Sequence, residues 1–392
     1  MCSDHLPTPQ GGLHGSSYSA ETILGRAYSR KVICGVTKKL NEREAEMMKR
    51  RIGYLMLAVI VCLNLVACGS PNQSTASGGD STIKSQTQEK IVIKAATQHA
   101  EEYPSTMALM KFKEDLEAKS NGLFEVDVYP NGQLGTETDI VSQMQAGTVQ
   151  VGYCSPTAAT MNPNLNVFDL PFLFEDYNHV ERVVTSKIFN EICDPFFNYG
   201  LRPVCAYENG LRVVSTTKKK IESLADLKGL KMRTPEAPIS IAIFNALGCN
   251  ATPISFNELY SALQQGVVDG QENGYPTIDT NKYYEVQKYI AETYHMWGSN
   301  ILFISDKFYQ TLTTEQQKMV EECLSASGDY QRKIYREMND NCKQDLIDHG
   351  VEVTYPDMAE WRTATEVVYS DFYKEHPDLK SIAEEIISMR DN

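Results

Sequence analysis

The chain has 392 residues, 42% hydrophobic and 22% charged, with 37 basic against 51 acidic side chains and a net charge of −14. That length accommodates two lobes of ordinary domain size. The acidic balance, with no basic run interleaved with aromatics, argues against nucleic acid or an anionic lipid face as a partner.

In chain order the first feature is a processing signal. Met1 to Glu46 has no sustained periodicity and contains Pro7-Thr8-Pro9 and Gly11-Gly12. Lys49-Arg50-Arg51 is then followed by an uncharged, mostly apolar stretch from Ile52 to Ala67, ending Leu65-Val66-Ala67-Cys68. A basic start, an apolar middle and small residues before a cut site describe a secretory signal. The ending resembles a bacterial lipobox, in which the cysteine is acylated and becomes the new N-terminus. We therefore expect a lipoprotein signal peptide over residues 47–67 and lipidation of Cys68. An uncut signal anchor is the alternative, although this stretch falls short of the roughly twenty residues a spanning helix needs. Because the signal lies deep in the chain, residues 1–46 are expected to be a misassigned N-terminal extension, with the start at Met47 or Met48. A genuine extension is the other reading. The expected location is extracytoplasmic, lipid-anchored to the cell membrane, in the periplasm or on the outer face.

Residues 68–89, rich in Ser, Thr, Gln and Gly, read as a flexible tether. Ile91 to Ala96 reads as a buried strand. Ser105 to Ser120 reads as an amphipathic helix with Met107, Met110, Phe112 and Leu116 on its apolar face, stopped by Asn121-Gly122. Phe124 to Tyr129 alternates as a strand; Thr136 to Ala146 is the next helix and Val149 to Tyr153 the next strand. After residue 200 the pattern resumes. Strands are expected at Val204–Tyr207, Leu211–Ser215 and Leu230–Thr234, with a short helix from Leu224 ending in Gly229 and another from Ile239 to Leu247. Ser255 with Glu258 reads as a capping box opening the next helix, which ends at Gly266. Gly266 and Gly270 then flank a short strand that delivers polar side chains at its end. Thr313 to about His349 reads as one long helix with Gly328 as its interior glycine, suited to spanning two lobes. Alternating strands and helices predict an α/β fold with largely parallel sheets.

Six cysteines lie beyond Cys68, none in a Cys-x-x-Cys or zinc spacing, and free buried thiols are expected. Cys323 and Cys342 are separated along one predicted helix by about 28 Å at 1.5 Å per residue, too far to bridge. No nucleophile elbow, His-Glu-x-x-His, Walker loop or dinucleotide glycine motif occurs, so nothing positive favours an enzyme, a metal or a cofactor.

Two arginines stand in apolar strands, Arg212 in Leu211-Arg212-Val213-Val214 and Arg233 in Met232-Arg233-Thr234. A guanidinium fork in such a place suits a carboxylate ligand; a structural salt bridge or a solvated strand edge is the other reading. Asn273, closing Gly270-Gln271-Glu272-Asn273, can donate and accept toward a ligand, or stabilise its own turn.

Four segments together resemble the solute receptors of tripartite ATP-independent periplasmic (TRAP) transporters, the DctP-type family. They are Tyr129-Pro130-Asn131-Gly132-Gln133-Leu134-Gly135, Asp169-Leu170-Pro171-Phe172-Leu173-Phe174, Leu227 to Pro235, and Glu258 to Asn273, within a likeness running from Ile91 to about Ser388. The resemblance implies a two-lobed periplasmic-binding-protein-like α/β fold with mixed sheets, hinge strands and a long lobe-spanning helix. Lobe I would be residues 90–209 with 299–338, and lobe II 210–298 with 339–392. It implies a monomeric receptor that captures a small organic acid, a sugar acid or a dicarboxylate, and delivers it to TRAP membrane permease subunits. A receptor presenting the same ligand to a sensory membrane protein, and an enzyme on a bilobal scaffold, are the competing functions. By resemblance Arg233 takes the ligand carboxylate, Arg212 is a second arginine, Asn273 and Gln98 are polar pocket residues, and Phe256 is a pocket aromatic. Ser155 stands where sialic-acid binders carry a glutamate, which argues against sialic acid. Tyr103-Pro104 replaces a common His-Pro, and Trp297 is a candidate pocket wall.

Overall fold

The computed structural model describes residues 89–154 and 156–390. Its first sheet opens with β1 (Ile91–Ala96), buried on one face at Ile93 and Ala95 and on the other at Ala96, followed by helix α1 (Pro104–Lys119). Proline at the first helical position starts α1 where its missing N–H costs nothing. The buried stripe of α1 is Ala108, Leu109, Phe112 and Leu116, whereas Met107 and Met110 face outward. The register set by a start at Pro104 puts those two methionines on the opposite face from the one expected. β2 (Phe124–Tyr129) pairs parallel with β1. Thr136 and Asp139 close a reciprocal capping box on α2 (Glu137–Ala146), which leads to β3 (Val151–Cys154), also parallel to β1.

Two short helices, α3 (Tyr177–Val184) and α4 (Lys187–Cys193), precede β4 (Leu201–Leu211). β4 is one eleven-residue strand where two were expected in part; after Arg212 the chain enters β5 (Val213–Thr216) in a second sheet. That sheet continues through β6 (Lys231–Thr234), α5 (Pro238–Ala246), β7 (Asn250–Pro253), α6 (Leu259–Gln264), β8 (Gly270–Asn273), α7 (Tyr275–Thr280) and β9 (Tyr289–Ala291). The segment after Gly266 departs from expectation: the strand begins at Gly270, where the expected one ended. Val267, in the turn before it, is 48% exposed. Ser255 also differs, because its hydroxyl donates to the Glu258 carboxylate at 3.1 Å and a short 3-10 turn, Phe256–Glu258, intervenes before α6.

β10 (Trp297–Ser305) returns to the first sheet and runs antiparallel to both β3 and β4. The strand orders are β2-β1-β3-β10-β4 and, once β11 (Glu352–Thr354) is added, β11-β9-β5-β8-β6-β7. Both sheets mix parallel and antiparallel pairs. The chain thus passes between sheets at Arg212 and again between β9 and β10, and the two crossings lie side by side: Trp297 pairs with Leu211, and the Arg212 N–H donates to Met296 O at 2.9 Å.

After a short α8 (Asp306–Tyr309), α9 runs from Thr314 to Asp348, 35 residues or about 52 Å at 1.5 Å per residue. Thr313 and Gln316 cap it reciprocally. Its first half packs with Leu109, Phe112 and Tyr207 around Val320 and Leu324; its second half packs with Val213, Tyr275 and Ile278 around Cys342 and Leu346. Gly328 lets it approach β4, since a Cβ there would stand 2.6 Å from Cys205 Sγ. Gln331 then clamps the Glu208 backbone, accepting from its N–H at 2.7 Å and donating to its carbonyl at 2.8 Å. α10 (Ala359–Glu375) and α11 (Lys380–Ser388) close the chain. They rest on α5 through Trp361 and Phe372, and His179 Nε2 on α3 lies 2.8 Å from Ile386 O. All six cysteines among the described residues are free thiols, five of them buried.

Candidate functional site

The strand ends and crossings converge on one cleft with about 720 Å³ of space not filled by atoms, part of it open to solvent. Gln98 and His99 follow the end of β1; Glu137 stands at the N-terminus of α2; Asn209 and Arg212 lie at the first crossing; Asn300 is on β10. From the second sheet come Arg233 on β6, Phe256 after β7 and Asn273 at the end of β8. Ligands in open α/β folds gather at such carboxyl ends of strands. The sequence-derived residues Gln98, Arg212, Arg233, Phe256 and Asn273 therefore meet in one place. Ser155 and Cys68 lie outside the described residues.

The two arginines differ in their electrostatic state. Arg212, 3% exposed, is neutralised by Glu272: Nη2 donates to Oε1 at 2.9 Å and Nε donates to the other carboxylate oxygen. Nη2 also reaches Glu272 O and Asn273 Oδ1, each at 2.9 Å. Burial opposes ionisation of Glu272, but the Arg212 charge and the His295 ring beside it hold its carboxyl down to about 2. Arg233 is equally buried, at 3%, and its Nε donates to Ile254 O at 2.9 Å. No carboxylate among the described residues pairs with it, and burial pulls its guanidinium down to about 10. Of the three buried arginines among the described residues, Arg212 and Arg332 are salt-bridged and Arg233 has no such bridge there. A buried cation without a counter-ion is costly.

Asn273 is less available than its position suggests. Its Oδ1 accepts from Arg212, and its Nδ2 donates to Gln271 Oε1 at 2.6 Å. Trp297 does not line the cleft: it is buried between Phe168 and Phe174, with ring centroids 5.8 and 5.0 Å away. Tyr103 stands behind the wall, where its hydroxyl donates to Asn209 Oδ1 at 2.8 Å and its ring stacks on His99 at 3.8 Å.

Several lining residues escaped the sequence reading, His99, Asn300 and Glu137 among them. His99 is 5% exposed, wedged between Tyr103 and the edge of Phe256, and burial with the Arg212 charge pushes it down to about 3, so it is neutral. Asn300 is 1% exposed, and neither of its amide atoms has a partner among the described residues. Glu137 is an acidic residue of the lining. The signal for Asn300 was one amide opening the apolar run Ile301-Leu302-Phe303-Ile304. Among the described residues no group of three or more His, Cys, Asp or Glu side chains converges as a metal site.

Comparison with known proteins places this architecture. Residues 95–376 match the family model for bacterial extracellular solute-binding protein, family 7. The 2,3-diketo-L-gulonate-binding periplasmic protein YiaO of Escherichia coli is 30% identical over 63% of this chain and 76% of its own. A TRAP periplasmic solute-binding protein of Haemophilus influenzae, solved with bound L-gulonate, is 31% identical and superposes with a TM-score of 0.73 over 76% of this chain and 99% of its own. Another, from Anaerococcus prevotii with bound D-glucuronate, is 27% identical, with a TM-score of 0.75 over 76% of this chain and 98% of its own.

Proposed function

The chain belongs to the family 7 bacterial extracellular solute-binding proteins, and from that premise we propose that its cleft captures a sugar acid, a uronate or an aldonate, for delivery to a TRAP permease. The observation that carries the reading is Arg233, a buried guanidinium in the cleft with no counter-ion among the described residues. Its planar fork matches a carboxylate with two parallel hydrogen bonds. Phe256 and the stacked His99 supply apolar surface for a sugar ring, and Gln98 supplies a polar group beside them. Solved relatives holding L-gulonate and D-glucuronate support the ligand class.

The protein acts as a receptor and not as an enzyme in this reading, with a single copy sufficing to enclose its ligand. Lobe I is taken as residues 90–209 with 299–338 and lobe II as 210–298 with 339–392, hinged at the two crossings. Residues 47–67 act as the signal peptide and Cys68 as the lipid-bearing anchor that keeps the receptor beside its permease.

A thermal-shift screen of acids and neutral sugars tests the ligand class. A ligand at a hundred times its Kd adds about 2.7 kcal/mol of stability. Uronates and aldonates should raise the unfolding temperature, and the matching neutral hexoses should not. Equal shifts from neutral hexoses would overturn the reading.

A further inference from the structure

Resting on the sugar-acid reading, we propose that Asn300 is the residue that reads ligand hydroxyls on the first-sheet wall of the cleft, so that the receptor takes polyhydroxy monocarboxylates and rejects dicarboxylates. Asn300 sits in the central part of the fold, on β10 opposite Tyr207, and the next residue, Ile301, pairs with Cys154 at the end of β3. It lines the cleft, it is 1% exposed, and neither Nδ2 nor Oδ1 has a hydrogen-bond partner among the described residues. His99, on the same wall, has a buried Nδ1 in the same condition. An amide buried without partners is costly, and its neighbours Ile301, Leu302, Phe303 and Ile304 are fully buried hydrocarbon. A leucine there would fit the strand better unless the amide has a partner in the bound state.

The chemistry of that partner follows from the amide itself. Nδ2 donates and Oδ1 accepts. A carboxylate only accepts, so it leaves Oδ1 unsatisfied. A hydroxyl both donates and accepts, and two adjacent hydroxyls satisfy both amide atoms. The charges of the lining agree. Arg212 is committed to Glu272, which leaves Arg233 as the one unpaired cation among the described lining residues, while Glu137 and Glu236 are both acidic. A ligand with one carboxylate on Arg233 is matched; a second carboxylate meets acidic side chains and a desolvated amide oxygen.

The test is calorimetry on the full-length protein with D-glucuronate, D-galacturonate, L-gulonate and succinate. The wild type should bind its best sugar acid at least a hundredfold more tightly than succinate. Asn300→Leu should lose tenfold or more for that sugar acid, while its ligand-free unfolding temperature stays equal or rises, because an unpartnered amide has been removed. A merely structural asparagine gives the opposite pair of results. Asn300→Ser, with a shorter donor and acceptor, provides a second variant and should fall between the two. In a cycle with monodeoxy sugar acids, the hydroxyl read by Asn300 should matter in the wild type and hardly at all in Asn300→Leu. Sugar-acid affinity within threefold of wild type in both variants overturns the assignment, as does succinate binding that matches the sugar acid. If the wild type binds none of the three sugar acids, the sugar-acid reading itself falls, a result distinct from an indifferent Asn300.

Discussion

Glu272 grips Arg212 at the point where the chain passes from one sheet to the other. Arg212 Nη2 donates to Glu272 Oε1 at 2.9 Å, Nε donates to the second oxygen, and both side chains are buried. The pair also crosses the β5–β8 boundary, since Val213, the residue after Arg212, pairs with Asn273, the residue after Glu272. Two charges withdrawn from water gain their mutual attraction only while both are present.

Removing one partner therefore exposes the cost. Glu272→Ala leaves Arg212 buried without a counter-ion and should destabilise the protein by about 3–5 kcal/mol. The double variant Arg212→Met with Glu272→Leu should recover most of that loss, because hydrocarbon of similar volume replaces the whole pair. Urea denaturation of the four proteins measures both effects. A Glu272→Ala cost below about 1 kcal/mol would show that water reaches the pair.

The same groups set the acid limb of stability. Glu272 is held down to about 2 from an ordinary 4.5, and His99 is pushed down to about 3 from 6.5. Both bind fewer protons folded than unfolded. Their contribution is therefore whole above pH 6.5 for His99 and 4.5 for Glu272, and it is lost as pH falls toward about 3 and about 2. His99→Asn should flatten the decline in unfolding free energy between pH 6.5 and 4.5 relative to wild type. An identical slope in the two proteins would place the His99 ring in contact with water.

Much of the fold was legible because its signals are local. The long helix announced itself through a sustained polar, amphipathic pattern, and it runs Thr314–Asp348 against an expected Thr313 to about His349. The strand carrying Arg233 was legible for the same reason, lying between Gly229 and Pro235. Legibility stopped where position depends on distant parts of the chain. Arg212 and Arg233 look alike in sequence, yet one is neutralised by a carboxylate 60 residues away and the other is not. Trp297 was a candidate pocket wall by resemblance alone, but Phe168 and Phe174 from a separate segment enclose it. Asn300 could be seen as an odd residue in an apolar strand, but which face it served was settled by β3 and β4 on either side.

Gly274 should prove intolerant for a steric reason. A Cβ there would collide with the Tyr335 hydroxyl and come within 2.8 Å of Asn209 O, although its φ of −72° suits any residue. Gly274→Ala should cost about 1–3 kcal/mol from overpacking between α9 and the β8–α7 junction. Tyr335→Phe removes the colliding oxygen, so the double variant should cost less than the sum of the singles. Strict additivity of the two unfolding free energies would refute the collision.

The anchor is tested outside the cleft. Cys68→Ala should release the receptor from the membrane fraction of the native cell into the soluble extracytoplasmic fraction. The mature wild-type protein should begin at a lipid-modified Cys68, as read by mass spectrometry of its N-terminal peptide. Peptides from around residue 20 in that material would contradict the assignment of residues 1–67 as removed.

Arg233 carries the proposed mechanism, and its variants separate binding from folding. Its guanidinium is buried and lacks a carboxylate partner among the described residues, with burial pulling it down to about 10. Removing such a charge should not harm the fold, so Arg233→Ala should unfold at the wild-type temperature or above it. Binding should respond in the opposite direction. A ligand carboxylate entering the cleft loses its hydration, and a paired charge with two aligned donors offsets that loss. Lysine supplies the charge without the fork, so Arg233→Lys should bind measurably worse than wild type. Arg233→Ala leaves the carboxylate unpaired and should lose about 3–5 kcal/mol, several hundredfold or more in Kd. Calorimetry on the three proteins with the best sugar acid gives the affinities, and circular dichroism confirms the fold. A folded Arg233→Ala that binds within threefold of wild type would remove the carboxylate from Arg233 and place it elsewhere in the cleft.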